Sequence, residues 1–288
     1  MTAIQPRPLV SQAMPKADAH APIGIFDSGI GGLSVVQEIA KHLPNERIIY
    51  FADTAHVPYG PRSGQEIREL TANAIEWLYR QGCKAVVVAC NTASAFSLDY
   101  LREHYGENFP IIGLVPALKP AVLQTKSKVV AVLATPATFR GQLIKDVMQH
   151  FAEPAGVKVL PVTSLELVPL IEAGQQMTPH CLEVLKQCLT PAVEQGADCL
   201  VLGCTHYPFL SEAIRQLFGN QLKLIDSGVA VARQTSRILS KHALLNNQPM
   251  SGTQIYCYAS GGKTPQLVTV IEHLMPLHLR WEIANPVL

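Results

Sequence analysis

The sequence is poor in charge. Only 16% of its 288 residues are Asp, Glu, Lys or Arg, and 23 basic side chains nearly cancel 22 acidic ones, for a formal net charge of +1. That balance leaves no electrostatic footprint for a nucleic acid, and no run of Lys or Arg supplies one. Long hydrophobic runs are missing too. The longest, such as Ala85–Cys90 and Val129–Ala134, fall far short of the ~20 residues that cross a bilayer. Met1 to about Ala21 is polar, holds Pro6, Pro8 and Pro15, and lacks the apolar core of a signal peptide. It is expected to be an N-terminal tail of a cytoplasmic protein. Cys-x-x-Cys is absent, which excludes a zinc ribbon and a thioredoxin-type motif. The seven cysteines, an odd number, need no pairing in a reducing compartment. No Lys-Ser/Thr pair follows Gly29-Ile30-Gly31-Gly32, so that glycine run is not a P-loop.

What is present is apolar material, 48% of the chain, enough for a sizeable core, over a length that suggests about two domains. Short β-branched runs alternate with helical patterns. Ile23–Phe26, Ile48–Phe51, Ala85–Ala89 and Ile111–Leu114 read as buried strands, with helices over Leu33–His42, Ser63–Arg80 and Ala95–His104 between them. The pattern then restarts: strands at Val129–Leu133, Val157–Leu160, Cys199–Leu202 and Leu222–Ile225, helices at Phe139–Phe151, Pro179–Gln195 and Leu210–Phe218. A helix near Val229–Leu245, a strand at Gln254–Ala259 and a helix at Pro265–His273 close the chain. Such alternation predicts parallel sheets covered on both faces.

The two halves echo each other. The segment from Gly82 to Thr92 lies beside that from Gly196 to His206 without a gap: a glycine, an apolar strand, then a small residue, a cysteine and two polar residues. This reads as a duplicated α/β unit. The expected fold is α/β with two similar lobes, each a mostly parallel sheet flanked by helices, related by pseudo-twofold symmetry. The chain is expected to cross between lobes near Pro116 and Asp226, giving a tail 1–21, a first lobe 22–116 plus 227–288, and a second lobe 117–226.

Both Cys90 and Cys204 then stand at strand carboxyl ends, where open α/β sheets bind ligands. Each precedes a helix, from Ala93 and from Pro208 onward, and a helix N-terminus favours thiolate. Two thiols facing one substrate from opposite sides would form a symmetric acid–base pair. Cys83, Cys181, Cys188, Cys199 and Cys257 read as packing residues. Asn91-Thr92 and Thr205-His206 put polar side chains at the mouth of the site, suited to an anionic ligand such as a carboxylate. His206 can tune Cys204 or carry a proton. Asp27, at a strand end before the glycine turn, aims a carboxylate into the cleft, the bland alternative being a helix cap by Asp27 or Ser28. The glycine run nearly matches a dinucleotide fingerprint, with Asp53 where a ribose ligand would stand, but Ser34 replaces its last glycine. Pro58-Tyr59-Gly60 reads as a rigid turn that brings backbone N–H groups to a ligand.

Four segments in this order, Gly24-Ile25-Phe26-Asp27-Ser28-Gly29-Ile30-Gly31-Gly32, Asp53 through Tyr59-Gly60, Ala89-Cys90-Asn91-Thr92-Ala93-Ser94 and Gly203-Cys204-Thr205-His206-Tyr207-Pro208, resemble the glutamate racemases of the aspartate/glutamate racemase superfamily. Thr135 and Thr138 sit where that family has a Thr-containing loop, and Val168-Pro169-Leu170-Ile171-Glu172 is similar to its Val-Pro-Leu-Val-Glu segment. The resemblance implies a cofactor-independent, metal-free interconversion of L- and D-glutamate for peptidoglycan and cell-wall synthesis. It implies Cys90 as the base for D-glutamate and Cys204 as the base for L-glutamate, with Asp27 and His206 assisting the adjacent thiols. It places Asp27, Ser28, Pro58, Tyr59, Gly60, Asn91, Thr92, Thr135, Thr138, Glu172, Thr205 and His206 around the substrate. It also raises a homodimer and activation by a UDP-muramoyl peptide as expectations. Racemisation without pyridoxal phosphate suits the sequence, which shows no Schiff-base lysine. The alternatives are an aspartate- or hydantoin-type racemase, or a decarboxylase, of the same superfamily and, from another class, a nucleotide-binding redox module.

Overall fold

The structure, a computed structural model, describes residues 18–248, 254–275 and 280–284. Most of the expected N-terminal tail therefore lies outside the described residues. Ten strands are described: β1 (Ile23–Asp27), β2 (Arg47–Ala52), β3 (Ala85–Val88), β4 (Ile111–Gly113), β5 (Val129–Leu133), β6 (Lys158–Val162), β7 (Cys199–Leu202), β8 (Lys223–Ile225), β9 (Gln254–Ala259) and β10 (Arg280–Ala284). They form two sheets, ordered β10-β9-β2-β1-β3-β4 and β6-β5-β7-β8, in which every paired strand is parallel. Helices flank both sheets, giving a two-lobed α/β architecture.

The strands read as unbroken apolar runs because both faces of each sheet are buried. Along β1 and β3, Ile23, Ile25, Ala85 and Val87 enter one core, while Phe26, Val86 and Val88 enter the core on the opposite face. In the second sheet Ala131, Leu133, Leu200 and Leu202 face one core, and Val130, Val132 and Val201 the other. Cys83, Cys181, Cys199 and Cys257 are buried in these cores, and Cys188 packs at the edge of one.

The order β2-β1-β3-β4 matches β6-β5-β7-β8 strand for strand, so the repeat visible in the sequence is also a repeat of topology. In each sheet the chain leaves its first strand to one side and returns on the other. The crevice outside the carboxyl ends at that reversal is where such sheets bind ligands. Cys90 follows β3 and Cys204 follows β7 at these two crevices.

Two expected helices differ in form. The helix expected over 139–151 is broken into Pro136–Arg140, Gln142–Val147 and a π-helical turn Met148–Ala152. Gly141 takes an extended conformation at the first break, and a Cβ there would stand 2.6 Å from the Cβ of Ala95, so close packing against the other lobe stops the helix. After Cys204 a 3-10 turn (Tyr207–Leu210) precedes the α-helix Ser211–Phe218, whereas Cys90 caps the helix Asn91–Tyr105 directly. The helix after the glycine turn starts at Leu33 with Gly32 as its cap residue, which removes the capping role weighed for Asp27 and Ser28.

Candidate active site

Both lobes wall one cavity. The first contributes Ser28, Pro58, Tyr59, Gly60, Pro61, Cys90 and Thr92; the second contributes Thr135, Pro136, Ser164, Leu165, Val168, Cys204 and His206. The two thiols of the repeated motif thus line the same space from different sheets. Pro61, Pro136, Ser164, Leu165 and Val168 were not singled out by the sequence. Pro61, Pro136 and Val168 adjoin or belong to motifs that were, whereas Ser164 and Leu165 sit in a loop with no local signature. Leu165 is an apolar side chain left 61% exposed at the rim.

The Cys90 Sγ accepts the Ala93 N–H at 3.4 Å, the helix-start contact anticipated for it, and the thiol points to Ser28 Oγ at 3.6 Å. Burial outweighs that contact. Together with the nearby Asp27 carboxylate it pushes the Cys90 thiol up to about 12, so the helix N-terminus does not produce a resting thiolate. At neutral pH this sulfur carries its proton.

Cys204 has a different setting. Its Sγ lies 3.7 Å from His206 Nδ1, and His206 Nε2 lies 2.5 Å from Glu172 Oε1. Burial alone would push the imidazole down, but its hydrogen bonds to Cys204 and Glu172 outweigh burial and hold it above the usual histidine range. Glu172 ends the helix Leu167–Glu172 of the second lobe, and the same Oε1 accepts the Ile30 N–H of the first lobe at 2.8 Å.

The glycine turn makes room for these side chains. A Cβ on Gly29 would fall 1.9 Å from Glu172 Oε1, and one on Gly31 would fall 2.3 Å from His206 Nδ1. The turn is therefore filled by side chains of the opposite lobe, where a dinucleotide fold would seat pyrophosphate. Asp53, the ribose-ligand position of that alternative, is committed elsewhere. It accepts the hydroxyls of Tyr59 and Ser260, both at 2.6 Å, and contacts His56 Nδ1 at 2.8 Å. Its work is to hold the Tyr59 side chain at the cavity wall.

Asp27 is fully buried behind the lining. Its Oδ1 accepts the Gly29 N–H at 3.0 Å and its Oδ2 accepts the Thr205 hydroxyl at 2.9 Å, a bond between lobes. Thr92, Thr135 and Thr138 form a closed cluster of hydroxyls, at 2.8, 3.2 and 2.9 Å, also spanning the lobes. Of the expected substrate-contacting residues, Asp27, Asn91, Thr138, Glu172 and Thr205 do not reach the wall of this cavity. Asn91 and Thr205 instead line a smaller cleft on the other side of Cys204.

Burial raises the Asp27 carboxyl from 3.8 to about 6, against the pull of His206, Gly29 and Thr205. The native state then binds more protons than the unfolded chain between those values, so stability falls as pH rises through that window, by about 3 kcal/mol. Asp27→Asn cannot ionise. Its melting temperature should exceed that of the wild type above about pH 7, and the gain should vanish near pH 4. A gain that is the same at both pH values in calorimetry would refute this account.

No helix among the described residues is long and apolar enough to cross a membrane. A family model described as Asp/Glu/Hydantoin racemase matches residues 23–235. A glutamate racemase from Deinococcus radiodurans is 57% identical over 246 residues, covering 85% of this chain and 84% of that protein. The solved structure of a glutamate racemase isoform from Bacillus anthracis has a TM-score of 0.80 and 30% identity, covering 92% of this chain and 98% of that one. That of Escherichia coli glutamate racemase, in complex with L-glutamate and the activator UDP-MurNAc-ala, has a TM-score of 0.74 and 33% identity, covering 91% and 98%. The chain belongs to the Asp/Glu/hydantoin racemase family of isomerases and, within it, to the glutamate racemases.

Proposed function

We propose that this chain interconverts L- and D-glutamate without a cofactor, one thiol serving each face of the α-carbon. The observation that carries the reading is that Cys90 and Cys204, each delivered by the same strand position of a repeated unit, line one cavity. Racemisation removes an α-proton and returns one on the opposite face, so one proton-transfer group per face is the minimal design. In this reading Cys204 abstracts from L-glutamate while Cys90 delivers, and the roles exchange for D-glutamate. The carbanion that forms beside the carboxylate needs fixed dipoles and exclusion of water, which backbone N–H groups at the start of the Asn91–Tyr105 helix and the closed lobes supply.

Asp27 and His206 are the positioning partners of the two thiols in this scheme. Ser28, Tyr59, Gly60 and Thr92 stand at the wall to receive the substrate, with Thr135 opposite them. Thr138, Glu172 and Thr205 act from behind it, through the hydrogen-bonded clusters described above, and Asn91 acts from the smaller cleft beside Cys204. The body divides into a lobe of residues 22–116 with 227–288 and a lobe of 117–226, a division consistent with the membership of the two sheets. The product D-glutamate would serve peptidoglycan synthesis in the cytoplasm. A UDP-muramoyl peptide, the chemistry of the activator named for the E. coli relative, is the expected effector.

The test is incubation of the wild-type chain with either enantiomer of glutamate, or of aspartate, in deuterated water. The expected result is inversion of glutamate alone, with one solvent deuteron at the α-carbon of the product. Inversion of aspartate at a comparable rate would replace the substrate, and inversion with retention of the α-proton would end the two-thiol reading.

A further inference from the structure

Behind the described site lies a buried tyrosine that the scheme above does not use. Tyr50, on β2, is fully buried, and its hydroxyl donates to the carbonyl of Gly29. Its ring fits beside the glycine turn only because Gly32 has no side chain: a Cβ there would come within 2.9 Å of the Tyr50 oxygen. The Gly29 carbonyl belongs to the same peptide unit as the Ile30 N–H, which donates to Glu172 Oε1 at 2.8 Å. That carboxylate oxygen in turn meets His206 Nε2, and His206 Nδ1 faces Cys204. A donor placed on a peptide carbonyl fixes the peptide plane and polarises its N–H, strengthening the bond made at the other end.

We propose that Tyr50 is a positioning residue for the Cys204 half of the site, acting through the Gly29–Ile30 peptide on Glu172 and so on His206. The inference rests on the racemase reading for its kinetic consequences but not for its geometry. The turn carries two glycines whose side-chain-free faces admit Glu172 and His206, and its Gly29–Ile30 peptide is held by Tyr50 on the carbonyl side and by Glu172 on the N–H side. Without the Tyr50 hydroxyl the Gly29 carbonyl loses its buried donor, and the Ile30 N–H is free to swing away from Glu172. The Ile30 N–H is one of the bonds that join the lobes, and it gives a first-lobe residue leverage over a second-lobe imidazole.

The experiment compares wild type, Tyr50→Phe, Glu172→Gln and the double variant. Tyr50→Phe should lower kcat/KM about tenfold in both directions and shift the pH profile, whereas in the Glu172→Gln background it should cost less than about twofold, because the carboxylate charge that passes the effect on to His206 is gone. Equal costs in both backgrounds, or a fall in melting temperature with kcat/KM and pH profile unchanged, would overturn the proposal. A second arm needs no turnover and no variant fold: in wild-type protein the Ile30 amide should be shifted downfield and protected from hydrogen exchange, and its shift should follow the titration of the His206 ring by NMR. A rapidly exchanging Ile30 amide that is blind to His206 would overturn the inference whatever the chain catalyses. If the wild type proves inactive on glutamate while this coupling is present, the racemase reading fails and the positioning role stands.

Discussion

Replacing Cys90 or Cys204 by serine is expected to lower kcat/KM for racemisation about 10³-fold or more, and by the same factor for L- and D-glutamate. A positioned proton-transfer group contributes about 10²–10⁴-fold, and serine, whose hydroxyl gives up a proton far less readily than a thiol, should lose most of it. The equality follows from the substrate. Enantiomers have equal free energies, so the two directions of one enzyme must keep equal kcat/KM, whichever sulfur is missing. Each variant nevertheless keeps one thiol, and the structure gives the two thiols different neighbours. Cys90 has the Ala93 N–H and Ser28; Cys204 has His206 backed by Glu172. In deuterated water Cys90→Ser should therefore exchange the α-proton of L-glutamate with retention, and Cys204→Ser that of D-glutamate. Proton NMR with chiral analysis reads both quantities. Near-wild-type inversion by either variant, or exchange of the same enantiomer by both, would remove the assignment of one sulfur to each face.

The second large effect concerns stability. Lys84 and Glu46 form an ion pair whose side chains are 0% and 1% exposed. The other Glu46 oxygen accepts the Asn246 N–H at 2.9 Å, and the Lys84 ammonium also donates to the Ala19 carbonyl. The pair thus joins the amino ends of β2 and β3 to the chain at Ala19 and Asn246, at the end away from the cavity. Glu46→Gln leaves a buried ammonium without its counter-charge and should cost about 3–5 kcal/mol, or roughly 10 °C in melting temperature. Burial already lowers the Lys84 pKa, with Glu46 opposing it. Removing Glu46 lowers it further, so the unfolded chain binds more protons than the native one below the ordinary lysine range. The variant should then regain stability as pH rises toward that range. The double change Glu46→Leu with Lys84→Met should cost far less than Glu46→Gln alone, since no charge remains to be solvated. Turnover per folded molecule should be unchanged in both variants. A melting temperature for Glu46→Gln within a degree or two of wild type would show the pair to be energetically idle.

These two expectations differ in where they could be read. The thiols were legible because a repeat is a local pattern: Gly, strand, small residue and Cys recur in the same register, and the strands around them are buried on both faces and so written as continuous apolar runs. Helix limits were legible where composition switches sharply, as over Leu33–His42, and not where tertiary packing intervened, as at Gly141 against Ala95. The glycine turn was visible but its purpose was not. Glycines announce close approach without naming what approaches, and here Glu172 and His206 approach from the other lobe. Asp53 shows the converse. Its strand-end position suited a ligand, and only Tyr59, His56 and Ser260 reveal that its lone pairs are taken.

The sequence by itself determined the α/β class, the duplicated unit, both thiols and the polar residues beside them, because periodicity and motif spacing are properties of neighbours along the chain. Tertiary structure alone decided that Ile30 is bound to Glu172, that Asp27 meets Thr205, that three threonines close on one another, and that Ser164 and Leu165 roof the cavity. Those contacts join residues far apart in the chain and depend on how one lobe is set against the other. That setting is fixed by the sum of many buried contacts, so no short stretch of residues records it.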